Sequence, residues 1–69
     1  MRLQVAGYLP RRQPIAVYVR TESVGGREVI RDTAPITRRF VGQPLDNLVR
    51  WLRRNGQVDV FDLDETTGG

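Results

Sequence analysis

Residues 15–33 read IAVYVRTESVGGREVIRDT. Ile15, Val17 and Val19 alternate with Ala16, Tyr18 and Arg20, the period of two that marks a half-buried strand. β-Branched and aromatic residues dominate it, as they do in strands generally. Gly25 and Gly26 then signal a two-residue hairpin turn, so residues 27–33 return antiparallel. With that turn Val24 opposes Arg27, Glu22 opposes Val29, Arg20 opposes Arg31 and Tyr18 opposes Thr33. Ile30 shares the core side with Val19 and Thr21. Tyr18, Arg20, Arg27 and Arg31 share the other side. Like charges directly opposed across a pair destabilise it, so Arg20 facing Arg31 demands compensation, and Glu22 is the acid within reach.

Working outward, residues 2–9 alternate again: Leu3, Val5 and Leu9 against Arg2, Gln4, Ala6 and Tyr8. Pro10 and Pro14 bracket a polar trio and end that strand in a turn. Downstream, Ala34-Pro35 interrupts the pattern, and residues 36–41 are expected to continue as a strand or to run as a connector ending at Phe40. Residues 43–56 hold the one helix. Pro44 suits its first position, and Leu45, Leu48, Val49 and Leu52 recur at i, i+3, i+4, i+7. Trp51 borders that stripe, and Asn55-Gly56 stops the helix. Residues 58–63 read as a last strand, Val58 and Val60 on one face, Phe61 and Leu63 on the other. The expected fold is α+β: an antiparallel sheet of three to four strands, one helix in the C-terminal half packed on one face, order β-β-β-(β)-α-β. Residues 1–63 make one small domain and 64–69 an acidic, glycine-ended tail.

Charge is segregated. All eleven bases are arginine and precede residue 57; Asp59, Asp62, Asp64 and Glu65 follow it, and the net charge is +3. A chain of 69 residues has a small core, so stability draws on outside help. Without cysteine that help is not a disulfide, which leaves a partner or a homodimer. No stretch approaches the roughly 18 apolar residues that span a bilayer, and residues 1–5 do not resemble a signal peptide, so a cytoplasmic location without membrane attachment is expected.

An enzyme is not expected. Histidine, cysteine and lysine are absent and Ser23 is the one serine, which removes the usual general bases and nucleophiles. The acids match no EF-hand loop, so neither metal nor other cofactor is expected. The positive signal is basic and aromatic. Tyr8, Tyr18, Arg20, Arg27 and Arg31 are expected to form a platform on the open sheet face that stacks bases and contacts phosphates. Arg11 and Arg12, with Arg38 and Arg39, would reach a nucleic-acid backbone at its rims. Such a protein is a non-catalytic binding or regulatory protein. A second expectation, from another class, is a phage- or plasmid-type inhibitor that docks on an acidic host protein or nucleoprotein complex through Trp51, Phe61 and the arginines, residue types that dominate interface hot spots.

Two resemblances accompany these readings. Three strands backed by one helix resemble, in shape alone, the small arm-binding domains of some phage integrases, which lay a sheet in the DNA major groove. Gly68-Gly69 resembles the C-terminus of ubiquitin-like modifiers and sulfur carriers, which implies an activated terminal carboxylate. That family places its helix after the first hairpin, whereas here the helix comes late.

Overall fold

The computed structural model describes residues 1–64. Alternation becomes four strands: β1 (Arg2–Leu9), β2 (Gln13–Val24), β3 (Arg27–Thr33) and β4 (Asp59–Asp62), with helix α1 (Leu45–Arg53) between β3 and β4. All pairings are antiparallel, in the order β3-β2-β1-β4. The α+β architecture and the order β-β-β-α-β are those the sequence implies.

The hairpin forms where Gly25 and Gly26 stand, and both adopt the positive φ (57° and 82°) that a tight two-residue turn requires. Val24 faces Arg27 and Glu22 faces Val29, as expected. Beyond Thr21 the register shifts: Arg20 faces Asp32 and Val19 faces Thr33. Arg31 is the extra residue of a β-bulge. The expected pairs Arg20–Arg31 and Tyr18–Thr33 therefore do not form. The physical reason is visible in the outcome, since the bulge sets a carboxylate, not a second guanidinium, opposite Arg20.

Residues 36–41 are a connector and not a strand, and the connector ends at Phe40, the second of the two outcomes expected. Pro35–Phe40 winds as 3₁₀ turns. Buried Thr37 fixes it: its hydroxyl lies 2.7 Å from that of Thr33 and donates to the Ala34 carbonyl at 3.1 Å. The chain then runs along the outer edge of β3, where Gly42 N–H donates to Ile30 O and Ile30 N–H to Gln43 O. That edge is thereby covered, while β4 forms the other edge with all four of its residues exposed. The helix is shorter than the expected 43–56, starting after Pro44 and ending at Arg53. The turn after β1 is a 3₁₀ turn over Pro10–Arg12, with Arg11 and Arg12 at positive φ (70° and 58°).

Val5, Val17, Val19, Ile30, Phe40, Leu48 and Leu52 form the core, with Leu9, Ile15, Ala34, Leu45, Trp51 and Val58 packed around them. Gly7 sits where α1 crosses β1; a Cβ there would lie 3.2 Å from Leu52 Cβ. Side-chain bulk at that point would push the helix from the sheet. Val60 shares the core side with Val5 yet remains exposed, so the helix layer does not extend over β4. Among the described residues no helix is long and apolar enough to cross a membrane.

Candidate functional site: two faces with different charge chemistry

One helix covers one face of the sheet, so the other face is open. Pairing aligns Phe61, Gln4 and Tyr18 in one row across β4, β1 and β2, and Asp59, Ala6 and Ala16 in the next. A third row sets Arg2 beside Arg20 and Arg20 beside Asp32. Tyr18 is 67% exposed and Phe61 51%, and Leu63 is exposed as well. Between these rims lie two shallow clefts. One of about 410 Å³ is floored by Ala6 and Ala16 and flanked by Tyr8 and Asp59. The other, of about 710 Å³, runs past Arg2, Tyr18, Arg20, Asp32, Ala34 and Leu63.

Two arginines of this face are paired with acids, and Arg20 stands opposite Asp32 without an ion pair among the described residues. Arg2, which stands next to Arg20, receives Asp64: its backbone N–H donates to Oδ2 at 2.7 Å and its Nε to Oδ1 at 2.8 Å. Asp64, the first residue of the acidic tail expected from the sequence, is the acid that closes on an arginine. Hydrogen bonds from the Arg2 side chain and then its backbone hold the Asp64 carboxyl below the ordinary Asp range. Arg31, freed by the bulge, pairs with Glu22 at 3.3 Å. These two are the ion pairs among the described residues. Four arginines (Arg2, Arg20, Arg27, Arg31) thus share the face with four carboxylates (Glu22, Asp32, Asp59, Asp64).

Tyr8 lies apart from Tyr18. Its ring packs on the loop after α1, where a Cβ at Gly56 would lie 2.6 Å from ring carbon Cδ2. Tyr8 therefore closes the end of the sheet instead of joining Tyr18 in a platform. Arg12 borders the same spot, with Asn55 and Gly56. Arg27, opposite Val24 at the hairpin tip, keeps the open-face parity and borders a second groove with Asp46, Asn47 and Arg50 at the helix start.

The helix layer is built differently. Arg39 Cζ stands 4.5 Å from the Trp51 ring centroid and 5.0 Å from that of Phe40, and the two rings pack on each other at 5.5 Å. A cation over an aromatic face gains about 0.5–1 kcal/mol at exposed sites. Stacking uses the flat of the guanidinium and leaves its N–H edges for an acceptor. A chain of amides fixes the backbone beneath: Asn47 Nδ2 donates to Gln43 Oε1 at 3.1 Å, and Gln43 Nε2 to the Arg39 carbonyl at 2.9 Å. Arg39, Gln43, Asn47, Arg50, Trp51 and Arg54 line a groove of about 380 Å³ over this stack. Trp51, expected as an exposed anchor, is half-buried between Phe40 and Arg39, so its contribution is to hold Arg39. Arg38 and Arg53 are exposed in the same layer. Five arginines (38, 39, 50, 53, 54) stand on this side with Glu28, Asp46 and Asp62, and Glu28 is engaged by the Thr21 hydroxyl at 2.7 Å.

Arg50 and Arg54 escape the sequence reading, although a signal for them exists. Asn47, Arg50, Trp51 and Arg54 stand at i, i+3, i+4, i+7, a second helical stripe beside the leucines. The diglycine at 68–69 lies outside the described residues. No family model, no curated protein and no solved structure matches the chain.

Proposed function

We propose that this protein is a non-catalytic nucleic-acid-binding protein that grips the phosphate backbone with the arginines of its helix layer. The surface used is the groove of Arg39, Arg50 and Arg54, extended by Arg38 and Arg53. The observation that carries the reading is the Arg39–Phe40–Trp51 stack. It holds a guanidinium with free N–H edges among further arginines that make no ion pair among the described residues. Guanidinium matches phosphate bidentately, and a preset geometry loses less entropy on binding. The sheet face, where acids meet the arginines, has less net charge to offer a polyanion.

Affinity for short DNA and RNA, measured by fluorescence anisotropy across a salt series, tests this. Phosphate-carried binding falls linearly in log–log form, with a slope of about −0.9 per contact on duplex DNA. No detectable binding at low salt, or binding indifferent to salt, would overturn the reading. A pull-down from lysate, with and without nuclease, separates it from the inhibitor reading. A stoichiometric acidic protein that survives nuclease would transfer the same arginines to a protein partner.

A further inference from the structure

We infer that the open sheet face is a homodimer interface, in which Tyr18 of each protomer enters the cleft over Ala6 and Ala16 of the other. This goes beyond the nucleic-acid reading and does not depend on it.

Three features lead there. The first is exposed apolar surface. Tyr18, Phe61 and Leu63 stand at 67%, 51% and 43% exposure on one side of the sheet, around small residues, Ala6 and Ala16. Clustered exposure of this kind marks an interaction surface, whereas scattered single residues do not. The second is shape. A two-fold interface must be self-complementary, presenting both the knob and the hole. Tyr18 is a knob one row from the cleft of about 410 Å³ over Ala6 and Ala16, so a two-fold axis between those rows exchanges them. Asp59 at the rim of that cleft is then an acceptor for the incoming tyrosine hydroxyl.

The third feature is charge, and it selects a second copy as the occupant. A surface meeting its own copy must not carry a strong excess of either sign. The helix side, five arginines against three acids, keeps an excess and meets that condition less well. The sheet face, four arginines against four carboxylates, meets it. A standard interface takes about 800 Å² from each partner. This is about a sixth of the 4928 Å² that the chain exposes, within what one broad face of a two-layer domain supplies. Packing this way turns both arginine layers outward, at opposite ends of the dimer. It also provides the extra burial that so short a chain needs.

Sedimentation equilibrium on the nucleic-acid-free protein, over micromolar to millimolar concentrations, tests the proposal. The expected result is a concentration-dependent rise to twice the mass of the chain. Tyr18→Glu and, separately, Ala16→Glu should remain folded by circular dichroism, since both sites are exposed, and should shift the dimer constant at least tenfold toward monomer. Tyr18 lies on an interior strand, so its substitution does not disturb pairing along the free edge of β4. A monomer at every concentration would overturn the proposal. So would a dimer indifferent to both substitutions, which would point to β4 edge pairing. Because nucleic acid is absent, failure here leaves the phosphate reading standing, and the converse holds too.

Discussion

On the open sheet face Arg2 meets Asp64, Arg31 meets Glu22 and Arg20 stands opposite Asp32. Beneath the sheet, Arg39 is held by two aromatic rings, and Arg50 and Arg54 stand beside it around one groove. The residue type is the same in both places, but the neighbours differ. An arginine beside carboxylates has its charge answered within the chain. An arginine stacked on rings keeps its charge and its N–H edges for an outside acceptor. The number of arginines is therefore a poor guide to where this molecule attracts an anion; the partner of each one is a better guide.

The largest effect should come from opening the core that keeps the faces apart. Leu52 is fully buried, against Gly7 of the sheet. Leu52→Ala should cost about 2–5 kcal/mol in urea unfolding, most of the stability of a domain this small. Both faces should then lose their function together, since the helix and sheet no longer present separate surfaces.

Substitution within the faces should separate them. Arg39→Ala, Arg50→Ala and Arg54→Ala combined should weaken nucleic-acid binding strongly and make the salt slope shallower by about three units, one per lost phosphate contact. Arg2→Ala, Arg20→Ala and Arg31→Ala combined should leave the slope within one unit of the parent. Equal losses from the two triples would erase the distinction drawn here.

Smaller effects follow from the hairpin and the β4 end. Gly26 stands at φ 82°, so Gly26→Ala forces an L-residue into the left-handed region at a cost of about 1 kcal/mol, read as a lower urea midpoint with unchanged slope. The Asp64–Arg2 contact contributes stability above the ordinary Asp pKa, because the folded carboxyl titrates below that value. Its contribution is lost as pH falls below about 4 toward the lowered value. The protection of the Leu63 amide, whose N–H bonds to Arg2 O, should fall over that range in the parent protein when exchange is compared with the intrinsic rate at each pH. In Asp64→Asn the protection should already be low at neutral pH and should not fall further on acidification.

Much of the fold was legible because its signals are local. Alternation in residues 2–9 and 15–24, the Gly25-Gly26 turn and the leucine spacing of α1 each reflect only near neighbours. What sequence reading missed depends on distant partners. The bulge at Arg31 arises where a register fixed by the glycine turn meets a charge conflict at Arg20, and the chain relieves it by admitting one extra residue. The 3₁₀ turns of Pro35–Phe40 rest on a contact between Thr33 and Thr37 that no periodicity announces. The sites divide in the same way. Arg38 and Arg39 were expected at a rim and stand in the helix layer, whereas Tyr8 leaves the platform because the loop after α1 packs on its ring. Arg39 gains its importance from Trp51, twelve residues away in sequence and beside it in space.

The central claim is that nucleic acid meets the helix layer and not the sheet face. It is tested most directly by two-dimensional ¹H–¹⁵N NMR of the labelled protein titrated with a short duplex. The account predicts that shifts concentrate at Arg38, Arg39, Asn47, Arg50, Trp51 and Arg54, including the Trp51 indole N–H, while Ala16, Tyr18 and Phe61 remain unmoved. Shifts concentrated at Tyr18, Arg20 and Phe61, with the Trp51 indole unchanged, would contradict it.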